Sequence, residues 1–128
     1  MDGTLNIEER KPIWTALSEF YRDTELQDAD FRYMARKILE SPYSFEEVRV
    51  IDKYEVFPVL RSNLMDVAGV WAGFKEEWLV NKIRQSLSKR SAVKIIEIET
   101  SYRALKWMNR DYWGKLEKVY NEIKSNTL

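Results

Sequence analysis

The sequence predicts an all-α fold: a single-domain bundle of six or seven helices over residues 1–128, with an irregular central segment at about 62–74. Three observations lead there. Apolar residues recur at offsets of three and four along most of the chain, the period of a helix with one buried face. Capping residues stand just ahead of several of those runs. No glycine-rich hairpin turn joins two alternating segments. With 45% hydrophobic and 13% aromatic residues, and only four glycines and three prolines, the 128 residues can build a real core rather than a disordered chain.

The first helix is expected from about Glu8 to Arg22, capped by Asn6 or a neighbour, with Trp14, Leu17, Phe20 and Tyr21 as its stripe. Pro12 is tolerated there if it falls near the first turn, where an amide has no helical partner. The polar piece Asp23 to Asp28 reverses the chain, and Asp28 caps a second helix that buries Phe31, Met34, Ala35, Ile38 and Leu39 and ends at Ser41-Pro42. Ser44-Phe45-Glu46-Glu47 has the form of a capping box, in which the serine and Glu47 satisfy each other's amides. It starts a third helix that turns Phe45, Val48, Ile51 and Tyr54 inward. Pro58 should stop or kink that helix near Val56.

The central stretch Pro58 to Phe74 holds Gly69 and Gly73 around Trp71, a combination that suggests a turn or a close backbone approach. A fourth helix is expected to begin near Lys75, with Trp78, Leu79, Ile83 and Leu87 on one face and cations at its end. Ser91 to Trp107 reads either way. Val93, Ile96, Thr100, Ala104 and Trp107 make a helical stripe, while the β-branched residues from 93 to 100 also suit a strand. The missing partner strand favours helix. After a break at Asn109 and Asp111, a last helix presents Trp113, Leu116, Val119, Tyr120 and Ile123 to the core. Gly114 weakens that helix by about 1 kcal/mol relative to alanine, so a neighbour close against it, or a helix end, is expected there.

Four groups of residues also follow a pattern. Trp14-Thr15-Ala16-Leu17-Ser18, Asp23-Thr24-Glu25-Leu26, Glu55-Val56-Phe57-Pro58 with Asn63-Leu64, and Val67-Ala68-Gly69-Val70-Trp71-Ala72-Gly73-Phe74 match W-x-A-L-S, D-T-E-L, E-V-x-P-x-L-x-x-N-L and V-A-G-x-W-A-G-F. Over roughly residues 10 to 84 the chain thereby resembles an uncharacterised family of short bacterial proteins. The resemblance implies no activity and no site residue. Lys75 departs from it, since the family tends to an acidic residue after the G-F pair, and the next helix would then be capped differently.

What the chain lacks narrows its chemistry. With no cysteine and no histidine, it has no disulfide, no thiol nucleophile, no serine-histidine or cysteine-histidine pair and none of the commonest zinc ligands. Carboxylate, lysine or tyrosine chemistry and a carboxylate-held magnesium ion remain. There is no long uncharged apolar run, and the start of the chain is not laid out as a signal peptide, so a cytoplasmic protein without a membrane span is expected.

The net charge is zero but unevenly spread. Residues 1–66 carry 14 acidic and 9 basic side chains, a net of −5, and residues 67–128 carry 7 acidic and 12 basic, a net of +5. Mutual attraction of two halves of a bundle is the simple account, and two poles that meet partners is the functional one. Asp23, Glu25, Asp28 and Asp30 lie close in sequence, but without the spacing and glycine of a calcium loop, so caps and turns explain them and no metal or other cofactor is expected. Glu55 and Asp66 are the candidates for an acid and base pair, against a structural pairing with Arg61. The tryptophans fall mostly on inward stripes, which points to packing rather than base stacking. Lys82, Arg84, Lys89, Arg90 and Lys94 form a basic group, but no DNA-binding signature accompanies them, and nucleic acid is not the expected partner.

These readings favour a non-enzymatic module that binds a protein partner, such as an immunity-type protein that neutralises a bacterial toxin. A nuclease toxin would present a basic cleft, which makes Asp23, Glu25, Asp28, Asp30, Glu46 and Glu47 the candidate contacts. A carboxylate or metal-dependent enzyme centred on Glu55 and Asp66, and a helical module associated with nucleic acid, are the alternatives.

Overall fold

Asn6 opens the first helix: its Oδ1 accepts from the Glu9 amide at 3.1 Å, satisfying one of the amides that a helix start leaves free. The computed structural model describes residues 6–21, 25–65, 76–105 and 110–126. Within them every regular element is helical, and no strand occurs. Helix α1 (Ile7–Leu17) tightens at its end into a 3₁₀ turn, Ser18–Tyr21. Pro12 is the sixth residue of α1, beyond the first turn where it was expected. Its missing amide leaves the Glu8 carbonyl without a helical partner, and its ring lies exposed. The expected stripe is buried, and Ile13 and Ala16 join it.

Helix α2 (Asp28–Glu40) starts one residue earlier than predicted, with Gln27 as its cap. The Gln27 amide donates to Asp30 Oδ2 at 2.8 Å. Phe31, Met34, Ala35 and Ile38 are buried as predicted. The capping box at Ser44 forms in both directions: the Glu47 amide donates to Ser44 Oγ at 3.0 Å and the Ser44 amide to Glu47 Oε1 at 2.7 Å. It begins α3 (Phe45–Ile51).

Of the expected stop or kink near Val56, the stop does not occur, and the helix is instead disturbed there. The chain widens into one π turn, Asp52–Val56, and continues as α4 (Phe57–Met65) straight past Pro58. The physical reason lies in the free carbonyl. Pro58 offers no amide to Tyr54 O four residues back; the Phe57 amide instead bonds Asp52 O, five residues back. The Tyr54 carbonyl then takes a hydrogen bond from Arg90 Nη1 at 2.6 Å. A distant arginine thus supplies the donor that proline lacks. Helix α4 also runs through 62–65, which had been assigned to the irregular segment. The rest of that segment, with Gly69, Trp71 and Gly73, lies outside the described residues, as do Asp23, Asp66, Lys75, Trp107 and Asn109.

Helices α5 (Glu76–Ser88), α6 (Ala92–Leu105) and α7 (Arg110–Asn126) complete the bundle, so that α3 and α4, joined through the π turn, make six rods of the seven segments. Residues 93–100 are helical, but the expected stripe is wrong. Val93 is 77% and Ile96 62% exposed, and Ile98 is the residue α6 buries completely. Trp78 is also 43% exposed, whereas Leu79, Val80 and Ile83 carry α5 into the core. Helix α7 packs along α2, and Trp113 sits edge-on to Phe20 and Phe45, with centroids 4.9 and 5.7 Å away. Gly114 lies exposed near the start of α7, and a Cβ there would meet nothing within 4 Å. No neighbour requires a glycine. No helix among the described residues is long and apolar enough to cross a membrane.

Candidate functional site

Among the described residues, the π turn carries the two buried carboxylates. A π turn inserts one extra residue into a helix, and the two inward-facing carboxylates of this one are Asp52 and Glu55. Asp52 is wholly buried and Glu55 is 9% exposed. Each is met by donors from other helices, as a buried carboxylate requires.

Glu55 faces α1. Its Oε2 accepts from Arg10 Nη2 at 2.8 Å, and its Oε1 accepts from Arg10 Nε at 2.9 Å and from Trp14 Nε1 at 2.8 Å. Arg10 also donates from Nη1 to the Tyr43 hydroxyl at 2.9 Å, so that each of its three guanidinium nitrogens has a partner. Bonding to Glu55 drives the Arg10 pKa upward against the opposing effect of burial. The sequence had matched Glu55 with Arg61, but Arg61 instead grips Glu97 of α6, with Nη1 and Nη2 at 2.7 and 2.9 Å from its carboxylate. Arg61, and then Ser101, hold Glu97 down to about 2.

Asp52 faces the other way. Its Oδ1 accepts from the Tyr21 hydroxyl at 2.7 Å and its Oδ2 from the Tyr102 hydroxyl at 3.2 Å. Burial pushes its carboxyl up to about 7, although Tyr21, Tyr102 and the Arg49 charge all favour the ionised form. Both tyrosines are raised in turn, first by burial and then by the carboxylate beside them. Arg49 lies over the Trp113 ring, 5.0 Å from its centroid. The arrangement can hold or release a proton at Asp52. It gives Glu55 a fixed ionic partner and commits its oxygens to protein donors. Asp66, the proposed partner of Glu55, lies outside the described residues.

Sequence reasoning missed Asp52 and the Arg10 and Trp14 contacts. The signal was present in the spacing. Asp52 follows Val48 by four residues, on the face already assigned inward, and Arg10 precedes Trp14 by four on one face of α1.

The acidic candidates for partner contact divide by role. Asp30 and Glu47 accept from amides at the starts of α2 and α3. Glu25, Asp28 and Glu46 stand exposed. Asp28 also borders a groove of about 870 Å³ between α2 and α7, where Phe31, Val119 and Ile123 lie among Arg32, Lys115, Lys118 and Glu122. Of the basic group, Lys82, Arg84 and Lys89 are exposed. Arg90 is engaged with Tyr54 O and Ser86, and Lys94 with Glu97. Among the described residues, no group of three or more carboxylates is placed to hold a metal ion.

The model of a family described as a domain of unknown function, DUF7079, matches residues 8–119. The chain belongs to the DUF7079 family. The match runs from the first turn of α1 into α7 and so includes both halves of the buried network, Arg10 with Glu55 and Asp52 with Tyr102. No curated protein and no solved structure matches the chain.

Proposed function

We propose that this chain is a non-enzymatic protein-binding module of the immunity type, acting in the cytoplasm to neutralise a bacterial toxin. The observation that carries this reading is the groove between α2 and α7, with candidate residue Asp28 on its border. Apolar Phe31, Val119 and Ile123 surrounded by side chains of both signs match the make-up of a protein contact surface, an apolar centre within a charged rim. The buried carboxylates support the same reading from the opposite side. Asp52 and Glu55 are enclosed and bonded within the fold, where they hold helices together. Glu25 and Glu46 are further exposed carboxylates whose charge would help to steer a basic partner.

The test is a pull-down from the producing bacterium, followed by association kinetics of a captured toxin at two salt concentrations. Charge reversal at Glu25 and Asp28 is expected to slow association about tenfold or more at low salt, with the circular dichroism spectrum unchanged. The reading is overturned if no toxin is captured, and its surface assignment is overturned if binding survives those changes and is lost on reversing Lys82, Arg84 and Lys89.

A further inference from the structure

We propose that α6 is an arm that opens independently, docked on the π turn by polar hooks and able to lift away while α1, α2 and α7 stay folded. The inference stands apart from the toxin-binding reading and rests on how α6 is attached. Its fourteen residues bury one side chain completely, Ile98, whereas α2 buries Phe31, Met34, Ala35 and Ile38. Tyr102 and Leu105 are half-buried beside Ile98, while Val93 is 77% and Ile96 62% exposed, so lifting the helix hardly changes the contact of those two with water.

Polar bonds hold what apolar burial does not. Glu97 is gripped by both terminal nitrogens of Arg61, Glu99 accepts from the Tyr54 hydroxyl at 2.6 Å, and the Tyr102 hydroxyl reaches Asp52 at 3.2 Å. Of these body groups Asp52 and Tyr54 lie in the π turn and Arg61 about a turn beyond it, and the Phe57 ring, just past the π turn, is set edge-on to Tyr102 at 5.0 Å. The π turn is also the element on which α6 packs most. Just ahead of α6, Arg90 pins the connecting turn to Tyr54 O and to Ser86, which gives the arm a fixed pivot.

The bonds of Arg61 to Glu97 and of Tyr54 to Glu99 join half-exposed groups and contribute little net stability, because water replaces them when they open, and only the long Tyr102 bond reaches a wholly buried group, Asp52. An element held mainly this way belongs to the low end of the range of local opening energies. Once lifted, α6 would show Ile98 and Tyr102 as well as Val93 and Ile96, a helix apolar on several faces.

Native-state hydrogen exchange with mass spectrometry tests the arm directly, on the wild-type chain and two variants. Amides of residues 92–105 are expected to exchange roughly a hundredfold faster than the best protected amides of α1 and α2. Glu97→Gln, which weakens the Arg61 hook, should speed α6 about tenfold further and leave α2 unchanged. Val48→Ala, which opens a cavity in the core, should do the reverse and speed α1 and α2 without altering α6. Equal protection of α6 and α2, equal acceleration of all helices by Val48→Ala, or no response of α6 to Glu97→Gln would each overturn the proposal.

Discussion

Asp52 shows how much one buried side chain can govern. Its carboxyl is raised to about 7 in the fold, from an ordinary value of 3.8. The folded protein therefore holds a proton that the unfolded chain has already released between those pH values, and stability must fall as pH rises through that window. The contribution is fully present below about pH 4 and gone above about pH 7. Glu97 acts in the opposite sense: its depressed carboxyl contributes stability above its ordinary range, which is lost as pH falls towards about 2. Asp52→Asn keeps an acceptor for one tyrosine and removes the titration. Urea unfolding of both proteins from pH 4 to pH 8 should show the wild type losing on the order of a few kcal/mol relative to the variant by pH 7, and no further difference above it. A pH-independent difference would mean that Asp52 stays charged throughout. Gly114 offers a simpler test at this scale. Because a Cβ there meets open space, Gly114→Ala should stabilise the protein by about 0.5–1 kcal/mol in the same assay.

At the scale of elements, the rod from α3 to α4 is the instructive case. Pro58 was expected to stop or kink a helix, and the capping box before it was read correctly, so the local signals were sound as far as they went. What they lacked was Arg90, 36 residues from Tyr54, which satisfies the carbonyl that Pro58 abandons. The two residues should therefore be energetically coupled. Arg90→Ala is expected to cost about 1–3 kcal/mol, since it leaves a carbonyl unpaired, and less in a Pro58→Ala background, where residue 58 regains an amide. A double-mutant cycle measured by chemical denaturation gives the coupling directly. Strict additivity would show that Arg90 does not stand in for the amide that Pro58 lacks. Helix α6 teaches the complementary lesson. Its period was legible and its helical state correctly favoured, but the stripe chosen as buried points outward, because Ile98, Tyr102 and Leu105 offer a competing inward face in a segment with apolar residues nearly all round.

The whole molecule gathers its helices around one core, to which the described parts of every rod contribute. The opposed charges of the two halves do not by themselves dictate the sense of an ion pair between them. Arg61 with Glu97, which joins them, places the cation in the acidic half and the anion in the basic half. Two-pole attraction is thus at most a diffuse effect, screened by salt over about 10 Å. By itself, the sequence determined the all-α class, the places where helices start, the buried stripes of α1, α2 and α7, and the chemistries closed to a chain without cysteine or histidine. These properties depend on residue type and on spacing of three to four, which act over single helical turns. Only the tertiary structure decided that Glu55 belongs to Arg10 and Trp14, that Asp52 is sealed between Tyr21 and Tyr102, and that a proline could be carried through a helix by a distant arginine. Each of those bonds joins residues 31 to 50 positions apart in the chain. Their selection depends on which helix faces meet, and periodicity within one helix is silent about its neighbours.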